Sequence, residues 1–109
     1  MKTSDLANIE GFELLQPQYE DGEVTSGYTS DLLSDVMAHA EEDCAFITIQ
    51  AHKNTVAVSS LVGARAIVIC NNRPVQGDML EAAASEKVAI FRTKDNQFVA
   101  SCKINALLS

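Results

Sequence analysis

An α/β domain with a mainly parallel sheet is the fold class that this sequence predicts. Three short apolar runs carry the prediction, at residues 45–49, 66–70 and 88–91. Runs of this length that are rich in β-branched residues are typical of strands covered on both faces. Each run is followed within a few residues by a helical pattern. That alternation indicates parallel strands joined by right-handed crossovers.

The amino-terminal part of the chain predicts three further elements. Residues 4–10 form a short helical pattern, and a first strand is expected at residues 12–16. Asp21 and Gly22 are a turn signal before a second strand at residues 23–26. The direction of these two strands is not fixed by the sequence, and one of them can run antiparallel at an edge of the sheet.

Two helices are predicted on either side of the first apolar run. The earlier one is capped by Thr29 or Ser30 and ends near His39, before a run of acidic residues that belongs to a solvated loop. The later one covers residues 55–62, with Asn54 as its N-cap.

Two more helices follow the second and third apolar runs. Asp78 is expected to open a helix at residues 79–85, and Asp95 to open one at residues 96–108. In the last helix, four residues share an apolar face: Phe98, Val99, Cys102 and Ala106.

Composition restricts the class of protein. The 109 residues suit one domain, so we expect a single domain over residues 1–109. The first residues, MKTSDLANIE, lack the apolar segment of a secretory signal, and no apolar run reaches eighteen residues. A soluble, cytoplasmic protein with no membrane partner is therefore expected. The net charge of −7, with only eight Lys and Arg, argues against nucleic-acid binding.

The three cysteines are predicted to be buried thiols. Cys44, Cys70 and Cys102 are odd in number and widely spaced, with no C-x-x-C motif. This spacing supports neither a disulfide framework nor a zinc or iron–sulfur site. No metal and no cofactor are therefore expected.

Positive side chains follow the predicted strands. Lys53, Arg73, Arg92 and Lys94 lie in the segments after the three apolar runs, and parallel strands end at the same edge of a sheet. Cations near helix amino ends oppose the helix dipole, whereas an anion bound there is stabilised. A phosphate or nucleotide site is one interpretation. The other is that these cations pair with carboxylates such as Asp95 and Asp31 or keep the edge soluble.

The candidate ligand-binding residues come from two polar segments and one basic residue. They are Thr25, Ser26, Gly27, Tyr28, Ser30, Gln50, His52, Lys53, Asn54 and Arg73. In the first segment the alternative is ordinary turn and cap chemistry, since neither G-x-G-x-x-G nor a P-loop motif is present.

His52 has three possible roles: proton chemistry, contact with a ligand, or a structural hydrogen bond in its turn. No catalytic partner is identified by spacing, so no catalytic residue is predicted.

Three segments together resemble the DRTGG domain family, in its small stand-alone members. They are VTSGYTSDLLSDVMAHA, ITIQAHKNTVAVSSL and AIVICNNRPV, and the resemblance extends from Val24 to the carboxyl end. It implies the fold of the amino-terminal domain of HPr kinase, a three-layer α/β/α sandwich. Relatives of this kind are labelled hydrogenase-associated or HPr-kinase-like, and similar domains occur beside CBS domains. The literal pentapeptide is absent, and residues 24–28 are its nearest counterpart.

Two functional hypotheses follow. The leading one is a non-catalytic regulatory or accessory module, a homodimer, that binds a small phosphate-like or nucleotide-like anion at the carboxyl ends of the strands. The alternative is a ligand-free adaptor that serves an iron-only hydrogenase or another redox system. A kinase activity is not expected, because no P-loop is present. An enzyme that uses His52 ranks third.

Overall fold

The computed structural model describes residues 1–108, which form one five-stranded sheet with helices on both faces. The strands are β1 (Glu13–Gln16), β2 (Ser26–Thr29), β3 (Cys44–Thr48), β4 (Ala66–Ile69) and β5 (Ala89–Arg92). The helices are α1 (Leu33–His39), α2 (Lys53–Val62), α3 (Gly77–Glu86) and α4 (Gln97–Leu108), and a 3₁₀ helix covers Thr3–Asn8.

The spatial order of the strands is β1-β5-β4-β3-β2. Strands β2 to β5 are parallel, and β1 pairs with β5 in the antiparallel direction. The predicted parallel pairing of the three apolar runs is therefore confirmed. One of the two amino-terminal strands was expected to run antiparallel at an edge, and that strand is β1.

Two apolar cores lie on the two faces of the sheet, because successive side chains of a strand point to opposite faces. Phe46, Ile67 and Ile90 pack towards α1, α2 and α3 together with Met79. On the other face, side chains that include Phe91 pack with the 3₁₀ helix and α4. The three-layer α/β/α architecture is confirmed.

Several element boundaries differ from those predicted. The second strand is Ser26–Thr29 instead of residues 23–26. Its segment SGYT has no apolar run, and at the edge of the sheet it is set by parallel pairing with β3. Before it, Val24 N–H donates to the carbonyl of Met1 at 2.7 Å, which holds that residue against the amino terminus.

The helix starts also differ from the predicted caps. α1 begins at Leu33, because Ser30 Oγ accepts the backbone N–H of Leu32 in a turn before the helix. α3 begins at Gly77, so Asp78 lies inside its first turn and is not its cap. At α4, Asn96 Oδ1 accepts the N–H of Val99, which gives Asn96 the capping role predicted for Asp95.

Helix α4 turns a different face to the core than its sequence suggested. The fully buried side chains are Ala100 and Ile104, whereas Phe98, Val99 and Cys102 are exposed. The helix is apolar around most of its circumference, so periodicity alone does not select the buried face. The prediction of three buried thiols is correct for Cys44 and Cys70 and wrong for Cys102. Across residues 1–108, no helix combines the length and the apolar character needed to span a bilayer.

Candidate functional site

The four parallel strands end side by side, at what we call the carboxyl edge. Thr48 of β3 is in register with Ile69 of β4, and Ile69 is in register with Arg92 of β5. Neighbouring strands lie about 4.8 Å apart, so the loops that follow them are adjacent. These loops cover residues 30–32, 49–52, 70–76 and 93–96. All four helices begin at this edge, so the positive ends of their dipoles point towards it.

Asp31 connects three of these segments. Its Oδ1 accepts hydrogen bonds from Thr48 Oγ1 and from the backbone N–H of Ile49, both at 3.2 Å. It also accepts one from Gln97 Nε2 at 2.8 Å, at the start of α4. Because its donors come from β3, from the following loop and from α4, this carboxylate holds the β2 end of the carboxyl edge together.

Gln50 is tied into the same network. Its side-chain amide donates to the backbone carbonyl of Asp31 at 3.0 Å, and its own carbonyl accepts Thr55 Oγ1 at 2.7 Å. Its backbone N–H donates to Thr48 Oγ1. Gln50 therefore stabilises the conformation of the loop between β3 and α2.

His52 is the N-cap of α2. Its Nδ1 accepts the backbone N–H of Asn54 at 3.0 Å, and the helix begins at Lys53 instead of Thr55. The predicted cap, Asn54, is thus inside the first turn. Of the three roles open to His52, the structural hydrogen bond is the one present in the structure. An Nδ1 atom that accepts this bond carries no proton.

The capping role makes a first prediction. Replacing His52 by Ala is expected to lower the free energy of unfolding by about 1 kcal/mol, the usual cost of losing an N-cap acceptor. His52→Ser supplies another acceptor and is expected to stay within a few tenths of a kcal/mol of the parent chain. Urea denaturation followed by circular dichroism measures both. Equal losses in the two variants would contradict the capping role.

The loops after β4 and β5 are joined through their backbones. Asn71 and Asn72 have φ angles of 58° and 50°, in the left-handed region that Asn tolerates better than most residues. Their N–H groups donate to the carbonyls of Asp95 and Thr93 at 2.9 and 2.8 Å. Thr93 Oγ1 in turn accepts the N–H of Asp95. The geometry of this part of the edge is therefore set by both loops together.

The positive side chains divide into two groups. Five of the eight Lys and Arg residues in residues 1–108 have a carboxylate oxygen within 4.0 Å: Lys2, Arg65, Lys87, Arg92 and Lys103.

The other three, Lys53, Arg73 and Lys94, have no such partner within the described part of the chain, and all three follow strands at the carboxyl edge. The two carboxylates suggested as their partners are engaged elsewhere. Asp95 pairs with Lys103 at 2.7 Å, and Asp31 accepts the bonds described above.

Two cavities border this edge. One of about 550 Å³ is lined by residues that include Asn72, Arg92, Lys94 and Asp95. Another of about 330 Å³ lies between α2 and α3 and is lined by Lys53 and Asn54 among others. Gln50, His52 and Arg73 line neither cavity, so the edge between them is an open surface.

The ten residues predicted as ligand contacts fall into three places. Those after strand ends at the carboxyl edge are Ser30, Gln50, His52, Lys53, Asn54 and Arg73. Ser26, Gly27 and Tyr28 lie within β2. Thr25 lies at the opposite edge, where its N–H donates to the carbonyl of Asp43 at 3.0 Å.

Tyr28 is occupied by a contact with α1. Its hydroxyl donates to Asp35 Oδ2 at 2.6 Å. This hydrogen bond raises the pKa of Tyr28 and lowers the pKa of Asp35, because it favours the neutral phenol beside the charged carboxylate. Tyr28 therefore fixes α1 against β2.

Sequence reasoning missed the central position of Asp31, which it treated as a partner for cations. One available signal was Thr48, the one polar residue among residues 45–49. A buried hydroxyl at the end of a strand needs a partner, and that partner is Asp31. The role of Gln97 had no local signal, since it lies 66 residues from Asp31.

The fold is similar to a solved structure of the CBS and DRTGG domains of the regulatory region of Clostridium perfringens pyrophosphatase, which is complexed with the activator diadenosine tetraphosphate. The TM-score is 0.75 at 12% sequence identity, over 94% of this chain and 45% of the other. This chain thus corresponds to less than half of that regulatory region. The similarity supports a DRTGG-related fold. No family profile matches the sequence, and no curated protein matches it significantly.

Proposed function

We propose that this chain is a non-catalytic regulatory module that binds a small phosphate-bearing or nucleotide-like anion at the carboxyl edge. Lys53, Arg73 and Lys94 supply the charge, and the exposed amide of Asn54 supplies an orienting hydrogen bond. The observation that carries the proposal is the division of the cations. The three without a carboxylate partner in residues 1–108 all lie at one edge, and the other five are paired.

Electrostatics favours an anion at this position. A chain with a net charge of −7 repels anions unless the local potential is positive. Unpaired cations and four helix amino ends raise the potential here, and each cation is at the unfavourable end of a dipole until an anion is present. Arg and Lys both bind phosphate, Arg through its planar fork and Lys as a compact charge.

The similar structure supports the same class of ligand. That regulatory region binds diadenosine tetraphosphate, a nucleotide with several phosphates. This chain matches only part of the region, so the nucleotide is a probe for this chain and not its assigned ligand.

The remaining edge residues are proposed to hold the loops of the carboxyl edge in place. Gln50, His52 and Ser30 are used in hydrogen bonds to the chain itself, which keeps the loops in one geometry. The proposed site does not include Thr25, which lies at the opposite edge. It also leaves out the three predicted residues that lie inside β2. With the imidazole of His52 engaged as a cap, a regulatory role is favoured over a catalytic one.

Calorimetric titration of the full chain with ATP and with diadenosine tetraphosphate tests the proposal. Lys53→Ala/Lys94→Ala is expected to weaken binding by about tenfold or more, the loss that follows from about 1.4 kcal/mol of charge-assisted contact. Arg73→Ala is expected to act in the same direction.

Lys2→Ala/Lys87→Ala is the matched control, because it removes two exposed but paired lysines and changes the net charge equally. It is expected to bind like the parent chain. No binding at millimolar ligand, or equal weakening in both double variants, would contradict the proposal. The redox-adaptor alternative stays a prediction, since no feature described above favours it.

A further inference from the structure

Arg92 is one of the five paired cations, but its pairing uses only part of its guanidinium group. Glu13 Oε1 accepts one hydrogen bond from Arg92 Nη2, at 3.0 Å. Arg92 Nε is buried and has no hydrogen-bond partner within residues 1–108. Buried N–H donors are nearly always hydrogen-bonded, because leaving one unsatisfied costs free energy. Arg92 therefore has a donor that the described part of the chain does not use.

We propose that Arg92 is a further contact of the anion site and that Glu13 is its intramolecular competitor. A phosphate group of the ligand replaces the Glu13 carboxylate and accepts hydrogen bonds from both Nε and Nη2 of Arg92. This inference rests on the proposed function, since it concerns the same ligand. It adds one residue that binds the anion and one that opposes its binding.

A phosphate suits this guanidinium better than Glu13 does. The N–H groups of Arg form a rigid planar fork, and two oxygens of one phosphate can accept parallel hydrogen bonds from it. Glu13 contacts the fork through Nη2 alone and leaves Nε without a bond. Exchange of the carboxylate for a phosphate therefore satisfies the buried donor.

The cavity of about 550 Å³ at the carboxyl edge gives the phosphate a place to bind. Three cations and three carboxylates line it: Arg92, Lys94, Lys103, Glu10, Glu13 and Asp95. With Glu13 in place, the formal charges of these six side chains cancel. When the Glu13 carboxylate turns out into solvent, the cavity keeps one net positive charge. An anion in the cavity therefore favours the arrangement in which Arg92 is free of Glu13.

Glu13 is the paired carboxylate that can leave this cavity. It lies opposite Arg92 on the edge strand β1, and its side chain is 60% exposed, so water can solvate it when it turns outward. Asp95 is only 25% exposed and accepts a hydrogen bond from Lys103 at 2.7 Å. Lys103 is also bonded to the backbone carbonyl of Glu10, at 3.0 Å. Exposed ion pairs contribute little to stability, so a ligand displaces Glu13 at small cost.

Calorimetric titration of the full chain with ATP tests the competition. Glu13→Gln is expected to bind ATP about threefold more tightly than the parent chain, the gain that follows from freeing Arg92 from one exposed ion pair. Arg92→Gln is expected to weaken binding by about tenfold or more. Glu13→Gln is expected to lose most of its gain when it is combined with Arg92→Gln. Circular dichroism verifies the fold of each variant, and a gain of affinity is not an effect that misfolding produces.

Glu20→Gln is the matched control. Glu20 is also an exposed carboxylate in an ion pair, with Lys87 at 3.5 Å at the opposite edge, and the substitution changes the net charge equally. It is expected to bind ATP like the parent chain. Equal affinities in Glu13→Gln and Glu20→Gln, or an Arg92→Gln chain that binds like the parent, would overturn this inference and leave the proposed function standing. No ATP binding in either the parent chain or Glu13→Gln would overturn both.

The arginine side chains give a direct readout of the contact. The chain has three arginines, Arg65, Arg73 and Arg92, so their Nε–H resonances can be followed separately in the ¹⁵N-labelled chain. The Arg92 signal, identified by its loss in Arg92→Gln, is expected to shift during titration with ATP. The Arg65 signal is expected to stay in place, because Arg65 pairs with Asp43 at the opposite edge. An Arg92 signal that stays in place while that of Arg73 shifts would contradict the proposed contact.

Discussion

Replacing Phe46 by Ala is expected to lower the free energy of unfolding by about 3–5 kcal/mol. Phe46 is fully buried in β3, where it packs in the core between the sheet and α1, α2 and α3. Removing a buried aromatic ring loses its transfer free energy and leaves a cavity that the surrounding core fills only partly. Domains of this size have a total stability of roughly 5–15 kcal/mol, so the variant is expected to be close to its unfolding threshold.

Urea denaturation of the two chains measures this loss. Leu61→Ala is the control, because its side chain is 72% exposed and the change is expected to stay within about 0.5 kcal/mol. Should Phe46→Ala fail to fold, Ile67→Val on the neighbouring strand is expected to cost about 1 kcal/mol. If Phe46→Ala and Leu61→Ala lowered the free energy of unfolding by similar amounts, the result would contradict the description of Phe46 as part of a core between the sheet and its helices.

Stability is expected to fall steeply as the pH rises above 9. Burial raises the pKa of Cys44 to about 11 and of Cys70 to about 12, from an ordinary value near 9, because a thiolate is poorly solvated in the core. Between pH 9 and 11 the unfolded chain loses protons that the folded chain keeps. Each thiol then lowers the free energy of unfolding by about 1.4 kcal/mol per pH unit. The two thiols together give a slope of up to about 2.7 kcal/mol per pH unit.

The measurement is the slope of unfolding free energy against pH from 8 to 10.5 under reducing conditions. Well below pH 9 both thiols are protonated in both states, so this contribution is constant there. The raised pKa values of Tyr19 and Tyr28 act in the same direction near the upper end of the range. Cys44→Ala/Cys70→Ala is expected to flatten the slope and Cys102→Ala to preserve it. A parent slope equal to that of the double variant would contradict the prediction.

The three central strands could be predicted from sequence because each one has a distinctive local composition. β3, β4 and β5 are short apolar runs, and burial on both faces demands that pattern. β2 lacked the signal because SGYT lies at the edge of the sheet, where alternate residues are exposed. The orientation of α4 was also not predictable from periodicity, since long-range bonds such as that between Thr29 and Ser101 help to set it.

The candidate site was predictable in outline only. Parallel strands place Lys53, Arg73 and Lys94 at one edge, and the order of elements was enough to infer that. Which cations stay unpaired depends on contacts between distant parts of the chain. Arg92, for example, pairs with Glu13, which is 79 residues away and on the antiparallel edge strand.

The most direct test of the account is amide chemical-shift mapping of the ¹⁵N-labelled chain during titration with ATP. We expect saturable shifts at residues 52–54, 71–73 and 93–95, which follow three separate strands at the carboxyl edge. Shifts centred instead on Arg65 and Lys87 at the opposite edge, or none at millimolar nucleotide, would contradict it.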